Sequence, residues 1–473
     1  MKKQLIQIYH QLPPPLRSVA ASARGHYLYS WRYGPETESL VAEAHEREHW
    51  SAAEWETYRT ERLGYALHRA VTQVPYYRDQ WMERRRRGDQ ASWDYLENWP
   101  ILEKNTLREQ PLAFVADDRD TRQMLHEHTS GTTGKPLDLW WSRPTVRGWY
   151  ALFEARWRRW YGVSLPDRWA ILGGQLVTPV EQRQPPFWVW NDAFHQLYMS
   201  SYHLAPDLIP TYFEALVRYQ IKYMLGYTSS LYALAQEALR LGRHDIQMTV
   251  VITNAEPVYT YQREAIAQAF GCPVRETYGM SEIVAAAGEC EAGRLHIWPE
   301  AGWIEVHDNN GQVPVGNVGD LICTSLLNTD MPLIRYRVGD RGALAPDSPC
   351  DCGRTLPALA SVEGRTDDVL YTPDGRLVGR LDPVFKSSLP IREAQIVQEA
   401  TDRIRVRYVP AVGFSPEDEE TIVAQIQARM GKMQVIMEEV GEVPRTSNGK
   451  FRAVICQLSP AEREILLAKR RQQ

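Results

Sequence analysis

The sequence predicts a two-part α/β protein, with a large layered domain over residues 1–365 and a small, mobile α+β domain over residues 366–473. Three observations predict it. The 473 residues exceed what one ordinary core holds, at about 150 residues per domain. From about residue 120 to 365, short β-branched runs such as Thr249-Val250-Val251-Ile252-Thr253 alternate with helical stretches such as Tyr261 to Phe270, a pattern of α/β layers around a largely parallel sheet. Beyond Gly364-Arg365-Thr366-Asp367-Asp368 the texture changes to strand alternation and capped helices.

The elements follow in order. Met1-Lys2-Lys3 resembles the charged start of a signal peptide, but Gln4, Gln7, His10 and Gln11 interrupt the apolar run and Pro13-Pro14-Pro15 ends it. Leu5, Ile8 and Leu12 instead fit one stripe of an amphipathic helix. The lead-in over residues 1–120 is mainly helical, and Ser51 with Glu54 forms a capping box. Arg84 to Arg87 read as a solvated helix face. Half of the sixteen tryptophans lie between Trp140 and Trp190, most of them for the core and one or two for an apolar pocket. In the small domain, Ile404, Val406 and Tyr408 alternate as in a half-buried strand, and Ser415-Pro416 and Ser459-Pro460 open helices.

Composition narrows the function. Hydrophobic residues make up 44% and charged residues 24%, which excludes wholesale disorder. The formal net charge is −5, so no global basic field invites nucleic acid. No apolar run is long enough to span a bilayer, and six cysteines in so long a chain make no disulfide framework, as expected of a cytoplasmic protein.

The segment Thr129-Ser130-Gly131-Thr132-Thr133-Gly134-Lys135-Pro136 carries the strongest chemical signal. Its glycines permit a tight turn that exposes N–H groups, its hydroxyls add donors, and Lys135 adds positive charge, all suited to a polyphosphate. It is not a Walker loop, because only two residues separate Gly131 from Gly134 and Pro136 replaces the magnesium-binding hydroxyl. Four further motifs follow: Tyr278-Gly279-Met280-Ser281-Glu282, Tyr336-Arg337-Val338-Gly339-Asp340, Gly364-Arg365-Thr366-Asp367-Asp368, and Pro444-Arg445-Thr446-Ser447-Asn448-Gly449-Lys450.

In that order the five segments resemble the motifs of the adenylate-forming superfamily of acyl-CoA synthetases, peptide-synthetase adenylation domains and luciferases. Val74-Pro75-Tyr76-Tyr77-Arg78 and Cys352-Gly353-Arg354 are similar to signatures of the phenylacetate–CoA ligase branch, which includes capsule-biosynthesis relatives. The resemblance implies a large N-terminal adenylate-forming domain of several subdomains and a small C-terminal lid that rotates about Asp367. It implies that Thr129, Ser130, Gly131, Thr132, Thr133, Gly134 and Lys135 cradle phosphates. Ala255, Glu256 and Pro257, with Glu276, Thr277, Tyr278, Gly279, Met280 and Ser281, would border the nucleotide, Tyr278 stacking on adenine. Asp340 would accept the ribose hydroxyls and Arg365 would add a donor. Glu282 would bind Mg²⁺, a hard cation that favours oxygen. Lys450 would stabilise charge between the substrate carboxylate and the α-phosphate. Ala255 stands where many relatives carry glycine, and Ser281 replaces a threonine.

Cys290, His296, Cys350 and Cys352 offer three sulfurs and an imidazole, a common structural zinc set, although Cys-x-Cys is tighter than the usual spacing. Read singly they are small buried hydrophobes; relatives in the branch resemble this segment, and some bind a metal there. The expected activity is ATP-dependent activation of a carboxylic acid, then transfer to a thiol, coenzyme A first. An amine, a sugar hydroxyl or a carrier-protein thiol is the alternative acceptor, and a nucleotide-binding module without catalysis is the rival class. Tyr198, Tyr227 and the tryptophans hint at an aromatic or apolar acid. Whether the chain is a monomer or a dimer is not legible.

Overall fold

A computed structural model describes residues 8–129, 137–179, 182–365, 370–373, 377–378, 389–445 and 451–471. The chain forms two compact units: one of residues 1–258, 262–338 and 342–361, the other of residues 259–261, 339–341 and 362–473. Among the described residues no helix is long and apolar enough to cross a membrane.

The larger unit begins with helices α1 (Pro14–Arg32), α2 (Thr37–Arg47), α3 (Ala52–Gln73), α4 (Pro75–Arg86) and the short α5 (Lys104–Glu109). Ser51 and Glu54 cap α3 reciprocally, as the spacing predicts. The basic run at the end of α4 departs from expectation. Arg86 and Arg87 are exposed, but Arg84 lies 4.1 Å over the Trp81 ring and pairs with Asp89, so its guanidinium packs rather than floats.

Strands β1 (Leu125–His128) and β2 (Asp138–Trp141) form an antiparallel hairpin, followed by α6 (Arg143–Trp157). Then come β3 (Trp169–Gly173), β4 (Trp188–Asn191), β5 (Gln196–Ser200), α7 (Ile209–Arg218), β6 (Tyr223–Tyr227), α8 (Thr228–Arg240), β7 (Val250–Asn254), α9 (Thr260–Phe270) and β8 (Val274–Gly279). Strands β5, β3, β6, β7 and β8 lie side by side in parallel. Val250 to Ile252 are buried on both faces, which is why they read as a continuous apolar run. Ala170, Leu172, Leu197, Met224, Val251, Phe213, Leu234, Ile266 and Phe270 build the core shared with the flanking helices.

The expected largely parallel sheet holds only this far. The sheet continues through β9 (Ala286–Glu289), β10 (Leu295–Ile297), β11 (Gly302–Asp308), β12 (Gly311–Gln312), β13 (Gly319–Ser325), β14 (Tyr336–Leu344) and β15 (Ala358–Arg365). Thirteen strands run in the order β12-β11-β13-β14-β15-β10-β9-β8-β7-β6-β3-β5-β4. Pairs β8–β9, β9–β10, β10–β15 and β11–β13 are antiparallel. From residue 286 onward, short connections replace the helical crossovers that a parallel pair needs.

Most tryptophans pack the core, as predicted. Trp141, Trp149, Trp157 and Trp298 share one cluster with Trp31, Val41 and Leu152. The smaller unit holds a hairpin of β16 (Leu370–Tyr371) and β17 (Leu377–Val378). Strands β18 (Ile391–Ala400), β19 (Arg403–Pro410), β20 (Gln434–Glu439) and β21 (Val454–Cys456) form a sheet of order β20-β19-β18-β21. Helices α10 (Pro416–Met430) and α11 (Pro460–Arg471) complete it. Ile404, Val406, Ile422, Ile426 and Met430 meet in its core, and the Ser415–Asp418 and Ser459–Glu462 pairs close the helix starts.

Candidate functional site

Strands β3, β5, β6, β7 and β8 end at Gly173, Ser200, Tyr227, Asn254 and Gly279, all along one edge of the sheet. Open α/β sheets bind ligands at the carboxyl ends of their strands. Here the structure brings together Tyr227, Ala255, Glu256, Pro257, Thr277, Tyr278, Gly279, Met280, Ser281 and Glu282, with Glu276 and Tyr198 just before two of these ends.

Ala255 follows β7 with φ +61°, in the left-handed region that glycine enters freely. An alanine there costs about 1–2 kcal/mol, so this turn is held by its surroundings. Glu256 helps: its carboxylate accepts from the Ser229 N–H at 2.8 Å and the Ser229 hydroxyl at 3.2 Å, capping the start of α8. Next to the turn, the buried Asn254 Oδ1 has no hydrogen-bond partner among the described residues. A buried acceptor without a donor is costly, and this one lies at the carboxyl end of β7. Thr277 donates to the Thr253 carbonyl at 2.7 Å and so locks the end of β8 to β7.

Beyond β8, the Ile283 N–H donates to the Met280 carbonyl at 3.1 Å, and Ile283 takes φ +51°. Such a backbone is an outlier for a β-branched residue. It closes the turn that carries Glu282, which is 5% exposed. Glu282 Oε1 accepts from Lys104 Nζ at 3.1 Å and from the Tyr336 hydroxyl at 3.0 Å. Sequence reasoning missed both partners. Lys104 sits 178 residues upstream on α5, and Tyr336 belongs to a motif read for its aspartate. Both bonds fall on Oε1, leaving Oε2 as the oxygen open to a cation.

Asp340 lies half-buried on β14. Thr129 ends the β1–β2 hairpin, its N–H donating to the Leu137 carbonyl at 3.1 Å and its Oγ1 accepting from the Leu137 N–H at 2.9 Å. Ser130, Gly131, Thr132, Thr133, Gly134, Lys135, Asp367 and Lys450 lie outside the described residues, as does the side chain of Arg365.

Tyr198 and Tyr227 gather at the segment after β3. The backbone of Gln175 offsets part of the effect of burial on the Tyr198 hydroxyl, and that of Gly174 does the same for Tyr227. The Tyr202 hydroxyl donates to the Gly174 carbonyl at 3.0 Å. A Cβ on Gly173 would stand 2.5 Å from the Tyr198 hydroxyl, so only glycine fits. Burial pushes both phenols up, Tyr227 to about 12, and keeps them as neutral hydrogen-bonding groups.

The second predicted constellation also converges. The donor atoms of Cys290, His296, Cys350 and Cys352 lie within 4.8 Å of one another. Cys290 and Cys350 Sγ are 3.7 Å apart, and Cys352 Sγ is 3.3 Å from His296 Nε2. Sulfurs around a tetrahedral zinc, with Zn–S near 2.3 Å, stand about 3.8 Å apart. His296 Nδ1–H donates to the Leu356 carbonyl at 2.9 Å, which fixes the tautomer and turns the Nε2 lone pair inward. Burial holds this imidazole below its ordinary pKa, in the neutral form that ligates. Burial pushes the Cys290 thiol up to about 12. For Cys352 burial acts in the same direction, but the Arg354 N–H and the neighbouring thiols outweigh it and lower its pKa. The donor set fits zinc.

Comparison with known proteins agrees with this reading of the fold. Residues 370–457 match the family described as the CapK C-terminal domain. The chain is 25% identical over 368 residues to Protein CapK of Staphylococcus aureus, across 75% of this chain and 79% of that protein. It is 28% identical over 328 residues to phenylacetate-coenzyme A ligase of Pseudomonas putida, across 66% of this chain and 71% of that protein. The crystal structure of 2-hydroxyisobutyryl-CoA ligase in the postadenylation state, in complex with 2-HIB-AMP, superposes with a TM-score of 0.65 at 20% identity, covering 90% of this chain and 94% of that one. In its small domain, in sequence over about two thirds or more of its length and in fold, this chain is similar to adenylate-forming ligases, with CapK and the phenylacetate–coenzyme A ligases among the proteins it resembles.

Proposed function

We propose that the protein activates a carboxylic acid with ATP and passes the acyl group to the thiol of coenzyme A. A carboxylate oxygen attacks the α-phosphorus and pyrophosphate leaves, giving an acyl-adenylate. The thiol sulfur then attacks the acyl carbon, its proton is lost, and AMP leaves. The observation that carries this reading is the turn after β8, which holds a buried carboxylate, Glu282, at the carboxyl end of the parallel strands.

The first step brings anions together, so catalysis rests on positioning and charge neutralisation. Asn254 Oδ1 would accept from the adenine amine, and Tyr278 would stack on the ring. Asp340 supplies the acceptor for the ribose, and the segment from Thr129 to Lys135 supplies N–H groups, hydroxyls and one cation for the phosphates. Glu282 would hold Mg²⁺ through Oε2, and that ion supplies neutralisation of phosphate charge. Lys104, 3.1 Å from Glu282 Oε1, holds this carboxylate in orientation. Tyr198 and Tyr227 border the acyl group.

An ATP–pyrophosphate exchange assay over a panel of carboxylic acids tests the reading, since it reports adenylation before any acceptor is needed. Exchange with at least one acid is expected; none across aromatic, aliphatic and hydroxylated acids would overturn it. A second reading, with an amine, sugar hydroxyl or carrier-protein thiol as acceptor, draws on the match of the small domain to the CapK C-terminal family. Thioester formation with free coenzyme A, against amide or ester formation, separates the two.

The cysteine cluster completes the proposal as a structural zinc site. Four protein ligands leave no open position, so the ion would staple the loop after β9 to the segment before β15 and take no part in catalysis. Purified protein should carry about one zinc per chain without added metal. Cys350→Ser should release it and lower the melting temperature, while the rate per folded molecule stays unchanged. Metal-free protein of normal stability would exclude the site.

A further inference from the structure

A second constellation of metal-ligating groups lies on the β1–β2 hairpin, apart from the cysteine cluster. The register pairs His126 with Trp140 and His128 with Asp138, so these four side chains share one face. His126 Nε2 and His128 Nδ1 each stand 2.8 Å from the same oxygen, Asp138 Oδ1. All three donor atoms fall within 4.8 Å of one another. The rings are braced: His126 stacks on Trp140 at 4.8 Å with planes 8° apart, and the two imidazoles meet edge to face at 4.3 Å.

The geometry points to a divalent transition-metal site made of His126, His128 and Asp138. Two imidazoles and one carboxylate are the donor set of zinc, nickel or cobalt, whereas magnesium and calcium prefer all-oxygen shells. Metal bonds near 2.1 Å require donors rather more than 3 Å apart, so the 2.8 Å contacts must open by a few tenths of an ångström. Side chains that are 34–40% exposed can do this without disturbing the core. The same exposure lets a hydrated ion enter and keeps water on its remaining positions, so the metal should exchange readily. With neutral imidazoles the trio carries one negative charge, which favours a dication.

Position gives the site its consequence. The hairpin strands lead directly into and out of residues 130–136, through Thr129 and Leu137. An ion bound here ties β1 to β2 with only Thr129 and Leu137 between its ligands and that segment.

Calorimetric titration of the protein as isolated with Ni²⁺ at about pH 7.5 tests the site. One equivalent should bind without thiolate charge-transfer absorption, and a large excess of Mg²⁺ should not compete. His126→Ala and His128→Ala should each weaken binding by about 10- to 100-fold. Asp138→Asn, which keeps the shape and the hairpin contacts, should weaken it as well. Nickel K-edge absorption on the unaltered protein provides a measurement independent of variants: a shell of nitrogen and oxygen near 2.1 Å is expected. A sulfur shell near 2.3 Å, or equal binding by the wild type and the doubly substituted His126→Ala/His128→Ala protein, would overturn the assignment.

Discussion

Glu300→Ala is expected to destabilise the larger unit by about 3–5 kcal/mol, the cost of leaving a buried charge without its partner. Arg156 is fully buried and donates both terminal nitrogens to Glu300, each at 2.8 Å. Arg47 Nε adds a third bond to the same carboxylate at 3.0 Å. Burial alone would raise the Glu300 pKa, but Arg156 and then Arg47 outweigh it and hold it below the ordinary value. A depressed folded-state pKa means that the contribution is present above the unfolded value of about 4.3 and is lost as pH falls through the folded one. Chemical denaturation should therefore show the full deficit at neutral pH and a smaller one in acid. The double replacement Arg156→Met/Glu300→Leu, which removes both charges, should recover most of the loss. A deficit below about 1 kcal/mol for Glu300→Ala would mean that water reaches the site.

Lys450→Ala should slow adenylation by about 10²-fold or more, since one transition-state charge contact contributes roughly 3 kcal/mol. The lysine falls outside the described residues, so this expectation rests on its motif and on the proposed chemistry. Thioester formation from a supplied acyl-adenylate should survive, because negative charge no longer builds between carboxylate and phosphate in that step. ATP–pyrophosphate exchange and single-turnover thiol transfer measure the two halves separately. Equal loss in both would remove the assignment.

Some of this was legible in residues and some was not, for physical reasons. The parallel strands showed in Val250 to Ile252 because burial on both faces demands continuous apolar residues. The antiparallel extension was hidden: Ala286-Ala287-Gly288-Glu289 has neither alternation nor β-branching, yet all four residues are buried in a strand. A Cβ at 288 would lie 3.2 Å from the Trp157 ring, so a larger residue there would have to push that ring back by a few tenths of an ångström. The four zinc donors could be picked out because cysteines are few. Lys104 could not be matched to Glu282, since nothing local joins residues 178 positions apart. His126, His128 and Asp138 escaped notice for a related reason. Their meeting depends on hairpin register, which a strand sequence by itself does not set.

The ion pair at Glu300 belongs to a longer chain of contacts. Arg156 also lies 3.6 Å from Glu48, which accepts from Arg354 at 3.0 Å and from the Trp160 indole at 2.8 Å. Thr355 donates its N–H to the Glu48 carbonyl at 2.9 Å and its hydroxyl to the Trp50 carbonyl at 2.6 Å. Arg354 and Thr355 come directly after Cys352 and Gly353. Any dissection of the protein that discards its first fifty residues would therefore strip a buried arginine of Glu48, and would unfasten the segment that carries Cys352 far downstream. The helical lead-in is less an appendage than a keystone: a fragment begun at the first α/β motif would inherit the nucleotide signature without the frame that holds it.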